Sequence, residues 1–224
     1  MIRRGSEPAF QQLVREIQAW ELSPGEVLDP VVLALRLESS EAEVTEALGR
    51  LAAAGLVESR DGQGVVAGFD SENVVELFEL REALEVQVAR LVARRHDPQV
   101  FARLRRELSA AREACASAAD GGFDVFYTVV DRFDEAMDDA VANPFLIGAL
   151  APIRAHLLRV RRVNPSASRF LQALAEQIGI VDAILDRDEV LAMQTTAVHL
   201  RASLTSLLGR MGVTDAWSQH RTGS

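Results

Sequence analysis

Apolar residues recur at helical spacing along most of the chain, with one short interruption of β character. Phe10, Leu13, Val14 and Ile17 stand at i, i+3, i+4 and i+7, which predicts a helix over about Pro8–Trp20 that stops at Leu22-Ser23-Pro24-Gly25. Asp29-Pro30 reads as an N-cap followed by proline at the first helical position, and opens a second, short helix through Leu37. Ser40 with Glu43 three residues on matches a capping box, and Val44, Leu48 and Leu51 supply the buried stripe of a third helix ending near Gly55. Two β-prone runs follow, Leu56-Val57-Glu58 and Val65-Val66-Ala67. The glycines of Arg60-Asp61-Gly62-Gln63-Gly64 between them permit a tight reversal. Three short helices closed by a hairpin make a winged helix-turn-helix.

Beyond Gly68 the pattern is helical throughout. Val74, Leu77, Phe78, Leu84, Val88 and Leu91 mark a long helix ending at His96-Asp97-Pro98, and a second runs from there to about Ala119, before Asp120-Gly121-Gly122. Asn143-Pro144, Asn164-Pro165-Ser166 and Asp186-Arg187-Asp188 bound further helices, about six in all. Short turns between them imply an antiparallel bundle enclosing a core or a pocket. The expected fold is mainly α, with a winged helix-turn-helix over residues 1–69 and an all-α antiparallel bundle over 70–224.

Composition narrows the chemistry. The 224 residues are 48% hydrophobic and 5% aromatic, the balance of a globular helical protein. Cys115 is the one cysteine, so a disulfide framework and a cysteine-based zinc module are excluded. Neither an apolar signal core after Met1-Ile2-Arg3-Arg4 nor a membrane-length apolar run is present, which predicts a cytoplasmic protein without membrane partners. The histidines at 96, 156, 199 and 220 are scattered, and no GxSxG, HExxH or phosphate-loop motif occurs, so an enzyme is not expected. All 24 basic side chains are arginine, and the net charge is −9.

The ordered set of motifs resembles the GntR family of bacterial transcription factors, in the FadR-type branch whose effector domain is the helical FCD bundle. Its pieces are Leu22-Ser23-Pro24-Gly25, Glu46-Ala47-Leu48-Gly49-Arg50-Leu51, Gly55-Leu56-Val57 and the glycine-rich wing. In the bundle they are Glu79-Leu80-Arg81-Glu82-Ala83-Leu84-Glu85, Phe133, Ala142-Asn143-Pro144-Phe145-Leu146 and Val198-His199-Leu200. The resemblance implies a homodimer on operator DNA, governed by a small-molecule effector, most simply a carboxylate metabolite. The DNA face it implies comprises Ser40, Glu41, Thr45, Arg50, Arg60 and Gln63, and the effector site Arg81, Asp134, Gln177 and His199.

Two departures from the family pattern stand out. The family's recognition helix usually begins like Val-Ser-Arg-Thr-Pro-Val-Arg-Glu-Ala-Leu, whereas this chain reads Ser39-Ser40-Glu41-Ala42-Glu43-Val44-Thr45-Glu46-Ala47-Leu48. Glu41 and Thr45 stand where arginines would meet phosphate and guanine. Residues 1–68 hold six arginines against eleven acids, a formal −5, so DNA affinity would need Arg3, Arg4, Arg50 and Arg60 to cluster at the contact. Glu41 and Glu43 also suit the positive end of a helix dipole, and Glu41 can accept from a cytosine amino group. A regulator-derived binding protein that has lost operator contact is the alternative.

The second departure concerns metal. Many FCD domains hold a divalent cation with an Asp and His one turn apart plus two later histidines; those roles fall on Val130, Asp134, Gln177 and His199, of which only His199 keeps its family identity. Shifting one ligand to Asp131 gives i, i+3 spacing with Asp134. No metal cofactor is therefore expected, and arginine is the natural substitute for gripping an anion. Arg81 is the first candidate, with an ion pair to Glu85 as the plain structural alternative. His199 is expected to hydrogen bond with Gln177 or Asp134, and Arg159, Arg161 and Arg162 to form a solvated helix face.

Overall fold

A computed structural model describes residues 7–19, 21–68, 71–118, 122–161 and 167–211. The chain divides into two compact units, Met1–Asp70 with Ala151–Val163, and Ser71–Leu150 with Asn164–Ser224.

The first unit contains α1 (Glu7–Gln18), α2 (Pro30–Arg36), α3 (Glu41–Ala53), β1 (Val57–Arg60) and β2 (Gln63–Val66). Asp29 caps α2, accepting from the amides of Val31 and Val32 at 2.8 and 3.3 Å. The Ser40 capping box forms with both arms: Glu43 N–H donates to Ser40 Oγ at 3.3 Å, and Ser40 N–H donates to Glu43 Oε2 at 3.1 Å. These bonds draw the Glu43 carboxyl below its usual range, the Ser40 amide contributing most. Leu13, Ile17, Val44, Leu51 and Val66 are fully enclosed and form the centre of the core. The hairpin is antiparallel with Val57 opposite Val66, and reverses through Asp61 and Gly62, both at positive φ.

Part of a bundle helix completes this unit. The second half of α7 (Pro144–Arg161) buries Ile153 and Leu157, and His156 Nε2 donates to the carbonyl of Ala54, the C-cap of α3, at 2.8 Å. Gly55, at φ 70°, leaves room for that ring, since a Cβ there would lie 3.1 Å from His156 Nε2.

The second unit is built from α4 (Ser71–Arg95), α5 (Pro98–Ser117), α6 (Phe123–Val141), the start of α7, α8 (Ala167–Leu185) and α9 (Glu189–Arg210). Asp97-Pro98 and Asp188 start α5 and α9 as caps. The interior is mostly aliphatic, including Leu108, Leu174, Ile184 and Leu200, with Phe101 also buried and Phe126 stacked on Phe170 at 4.0 Å. Glu82–Arg201 at 2.8 Å and Arg90–Glu189 at 3.1 Å set the antiparallel register of α4 on α9.

Ser40→Ala should lower the unfolding free energy of the first unit by about 1 kcal/mol, the worth of an N-cap. Denaturant titration followed by far-UV circular dichroism measures it, and an unchanged midpoint would contradict the role given to the cap.

Candidate functional site

A polar core within the bundle is built from α4, α8 and α9. On α8, Arg169 forms a two-pronged ion pair with Glu176, Nη1 to Oε1 at 3.0 Å and Nη2 to Oε2 at 2.8 Å. The two residues lie seven apart, hence two turns along one face. On α9, His199 Nδ1 meets Glu176 Oε2 at 2.7 Å, and Arg169 Nη2 also donates to Ser203 Oγ at 2.7 Å. Glu176 is thus the hub of the set, with about a seventh of its side chain exposed. His199 bonds to Glu176 rather than to the expected Gln177 or Asp134, because the antiparallel register of the α8–α9 hairpin sets Glu176 opposite His199.

On α4, Arg81 is 3% exposed, pairs with Glu85 (Nε to Oε1 2.8 Å, Nη2 to Oε2 3.2 Å) and lies with Cζ 4.7 Å from the Phe78 ring centroid. The ion pair to Glu85 is therefore present, and it engages two of the five guanidinium N–H groups. The α4–α9 register carries Arg81 to the level of His199, and its charge reaches the imidazole. Burial, then the Arg169 and Arg81 charges, push His199 below its ordinary value of 6.5, against the pull of Glu176. Burial pushes the Glu176 carboxyl upward, and its bonds to His199 and Arg169 outweigh that and hold it below 4.5.

Among the described residues, two buried polar atoms on α8 and α9 find no hydrogen-bond partner: Gln177 Oε1 and Thr196 Oγ1, on residues 3% and 4% exposed. Gln177 follows Glu176 directly on α8, and Thr196 lies one turn before His199 on α9. A buried polar atom left unsatisfied costs on the order of 1–3 kcal/mol, which a water or a bound polar group at either atom would offset.

Of the four positions the family would use for metal, Val130 is a buried aliphatic with no donor, Gln177 brings an amide, and His199 already engages Glu176 through Nδ1. Asp134 is half-buried on α6 and Asp131 is exposed. Among the described residues no group of three or more His, Cys, Asp or Glu side chains is arranged to hold a metal ion.

In the winged unit, Glu41 and Thr45 are exposed on α3, and Ser40 is committed to the cap. Arg50 pairs with Glu7 at 2.9 Å and lies 3.8 Å over the Phe10 ring; Arg60 pairs with Glu58 at 2.6 Å. Arg36 pairs with Glu16 at 2.7 Å. Gln63 is exposed at the start of β2. Arg3, Arg4 and Arg162, and the side chains of Arg159 and Arg161, lie outside the described residues. Arg169, Glu176, Thr196 and Ser203 escaped the sequence reading. The seven-residue interval from Arg169 to Glu176 was their one visible signal.

Comparison with known proteins agrees with this architecture. The model of the bacterial regulatory proteins of the gntR family matches residues 6–66, and that of the FCD domain matches residues 76–202. The chain belongs to the GntR family of bacterial regulators, in the branch carrying an FCD domain. It is 28% identical, over 91% of this chain and 89% of the relative, to a protein of Paenarthrobacter nicotinovorans named as a probable D-xylose utilization operon transcriptional repressor. It is 32% identical over 65% of this chain to the HTH-type transcriptional regulator LutR of Bacillus subtilis, 72% of which is covered. Among solved structures, E. coli McbR/YncC aligns over 92% of this chain and 98% of its own with TM-score 0.72 at 17% identity. A GntR regulator of Rhodococcus sp. RHA1 aligns over 91% of this chain and 97% of its own with TM-score 0.68 at 22% identity. The protein is a transcriptional regulator with a helix-turn-helix domain and an FCD effector domain, and not an enzyme. Among the described residues no helix is long and apolar enough to cross a membrane.

The His199 environment makes a pH prediction. A depressed folded-state value means that the unfolded chain binds the proton first, so the contribution is complete above about pH 6.5 and declines as pH falls below it. The Glu176 contribution declines in the same direction, below 4.5. The melting temperature should drop between pH 7.5 and 5.5, and His199→Gln should flatten that drop; an equal slope in both proteins would contradict it.

Proposed function

We propose that this chain is a metabolite-responsive regulator that acts in the cytoplasm as a homodimer on operator DNA, and that its bundle grips a small organic carboxylate without a divalent metal. The observation that carries the effector half is the set of buried polar groups on α4, α8 and α9: Arg81, whose charge acts on His199, and the Gln177 Oε1 and Thr196 Oγ1 atoms that have no hydrogen-bond partner among the described residues. A carboxylate would use the N–H groups of Arg81 that Glu85 leaves free, and a hydroxyl on the same molecule would answer Gln177 and Thr196. Occupancy would favour one arrangement of the two readers over another. A second reading, in which operator contact has been lost, draws support from the acidic α3 face and from the pairing of Arg50 and Arg60 with carboxylates.

Thermal shift with a panel of short mono-, hydroxy- and dicarboxylic acids and their matched amides tests the effector half. At least one acid should raise the melting temperature while its amide does not. Thr196→Val should weaken that shift while raising the ligand-free stability by up to about 1 kcal/mol, because it removes an unsatisfied hydroxyl. No acid producing a shift, or an undiminished shift in Thr196→Val, would contradict the site. Metal analysis of protein purified without added metal should find well under one equivalent per chain, and stoichiometric metal would overturn the metal-free reading.

Titration of duplex from the protein's own promoter region at two salt concentrations tests the reader. Specific affinity with a clear salt slope is expected, and binding no tighter than to random duplex would leave the second reading.

A further inference from the structure

We propose that the outward face of α2, together with Val27, is a docking surface for a protein segment that is apolar at its centre and cationic at its margins. This inference is independent of the effector site. On this seven-residue helix Leu33 is buried, while Val31, Val32 and Leu35 are 52%, 59% and 79% exposed, and Val27 just before it is 49% exposed. Single aliphatics on a surface need no explanation, but four grouped on one short segment mark an interaction site.

The chemistry of the patch selects its partner. In a helix-turn-helix the first helix of the pair crosses the phosphate backbone, where side chains that donate hydrogen bonds or carry positive charge are useful. Here that face offers valine and leucine. Its one cation, Arg36, is tied to Glu16 at 2.7 Å. The patch is bordered by exposed Glu26 and Asp29 on one side and by exposed Glu38 and Glu41 on the other. This border disfavours phosphate at α2, so operator contact rests on the other residues of the reader. The same border repels a second copy of the same patch brought up by a two-fold axis, since acid would then face acid. A partner with arginine or lysine around an apolar centre is the complementary surface.

A recess gives the partner a place to anchor. Next to Val27 a groove of about 380 Å³ runs between α3 and the hairpin, walled by Pro30, Leu48, Gly49 and Ala52, with Glu58 at its edge. It is large enough for one bulky apolar side chain, the usual centre of a protein interface.

The test uses the full-length protein and a fluorescent synthetic amphipathic peptide with leucine along one helical face and arginine flanking it, read by anisotropy. Micromolar binding that weakens with salt is expected for this peptide. Binding should fall about tenfold or more in Leu35→Ser and in the Val31→Ser/Val32→Ser double variant. Because these side chains are exposed, both variants should melt with the parent protein. A matched peptide with glutamate replacing arginine should not bind. Peptide affinity unchanged in the variants would overturn the proposal. So would sedimentation showing a dimer that Leu35→Ser dissolves, which would assign the face to a second copy. A loss of duplex affinity in Leu35→Ser without a loss of peptide affinity would overturn it by assigning the face to nucleic acid.

Discussion

The polar core of the bundle depends on how Glu176 is kept charged where water reaches it only in part. A part-buried carboxylate is costly alone, and its partners offset that cost. Arg169 and His199 hold it from two helices, and Ser203 takes a further donor of Arg169. Because Glu176 is ionised, His199 can remain a neutral donor through Nδ1, and its ring is fixed against α8. A guanidinium and an imidazole converging on one carboxylate organise this end of α8 and α9.

The same economy of charge runs through the winged unit with a different outcome. Each of Arg36, Arg50 and Arg60 has a carboxylate within 3 Å. The two exposed pairs, Arg50–Glu7 and Arg60–Glu58, contribute little to stability and can be exchanged for phosphates, whereas the Glu16 carboxylate that holds Arg36 is buried. Their effect is on the field: the acids outnumber the arginines, so neutralised cations leave α3 facing outward with Glu41 and Glu46 exposed. The aliphatic face of α2, with Val31, Val32 and Leu35 exposed, offers water no polar side chain beside these acids.

Much of the fold was legible in the sequence because caps and breakers are local. Asp29-Pro30, Ser40 with Glu43, Asp97-Pro98 and the glycines after Arg60 each act within one turn, and the helices begin or end where they stand. Arg81 with Glu85 was legible for the same reason, being one turn apart on one helix. The bond of His199 to Glu176 was not, since it depends on the register of two antiparallel helices, and a shift of one residue points to Gln177. The grouping of 151–163 with the winged unit was also hidden. Nothing in the pattern of α7 marks where its packing changes, although Pro152 stands near that point.

The measurement that bears most directly on this account is a double-mutant cycle on Arg169→Gln and Glu176→Gln, followed by denaturant unfolding. If Glu176 is held by Arg169, each single variant loses about 1–3 kcal/mol and the double variant loses little more than either, giving a coupling energy of nearly the same size. Additive losses, with no coupling between the two sites, would show that the pair does not organise the interior and would contradict the account.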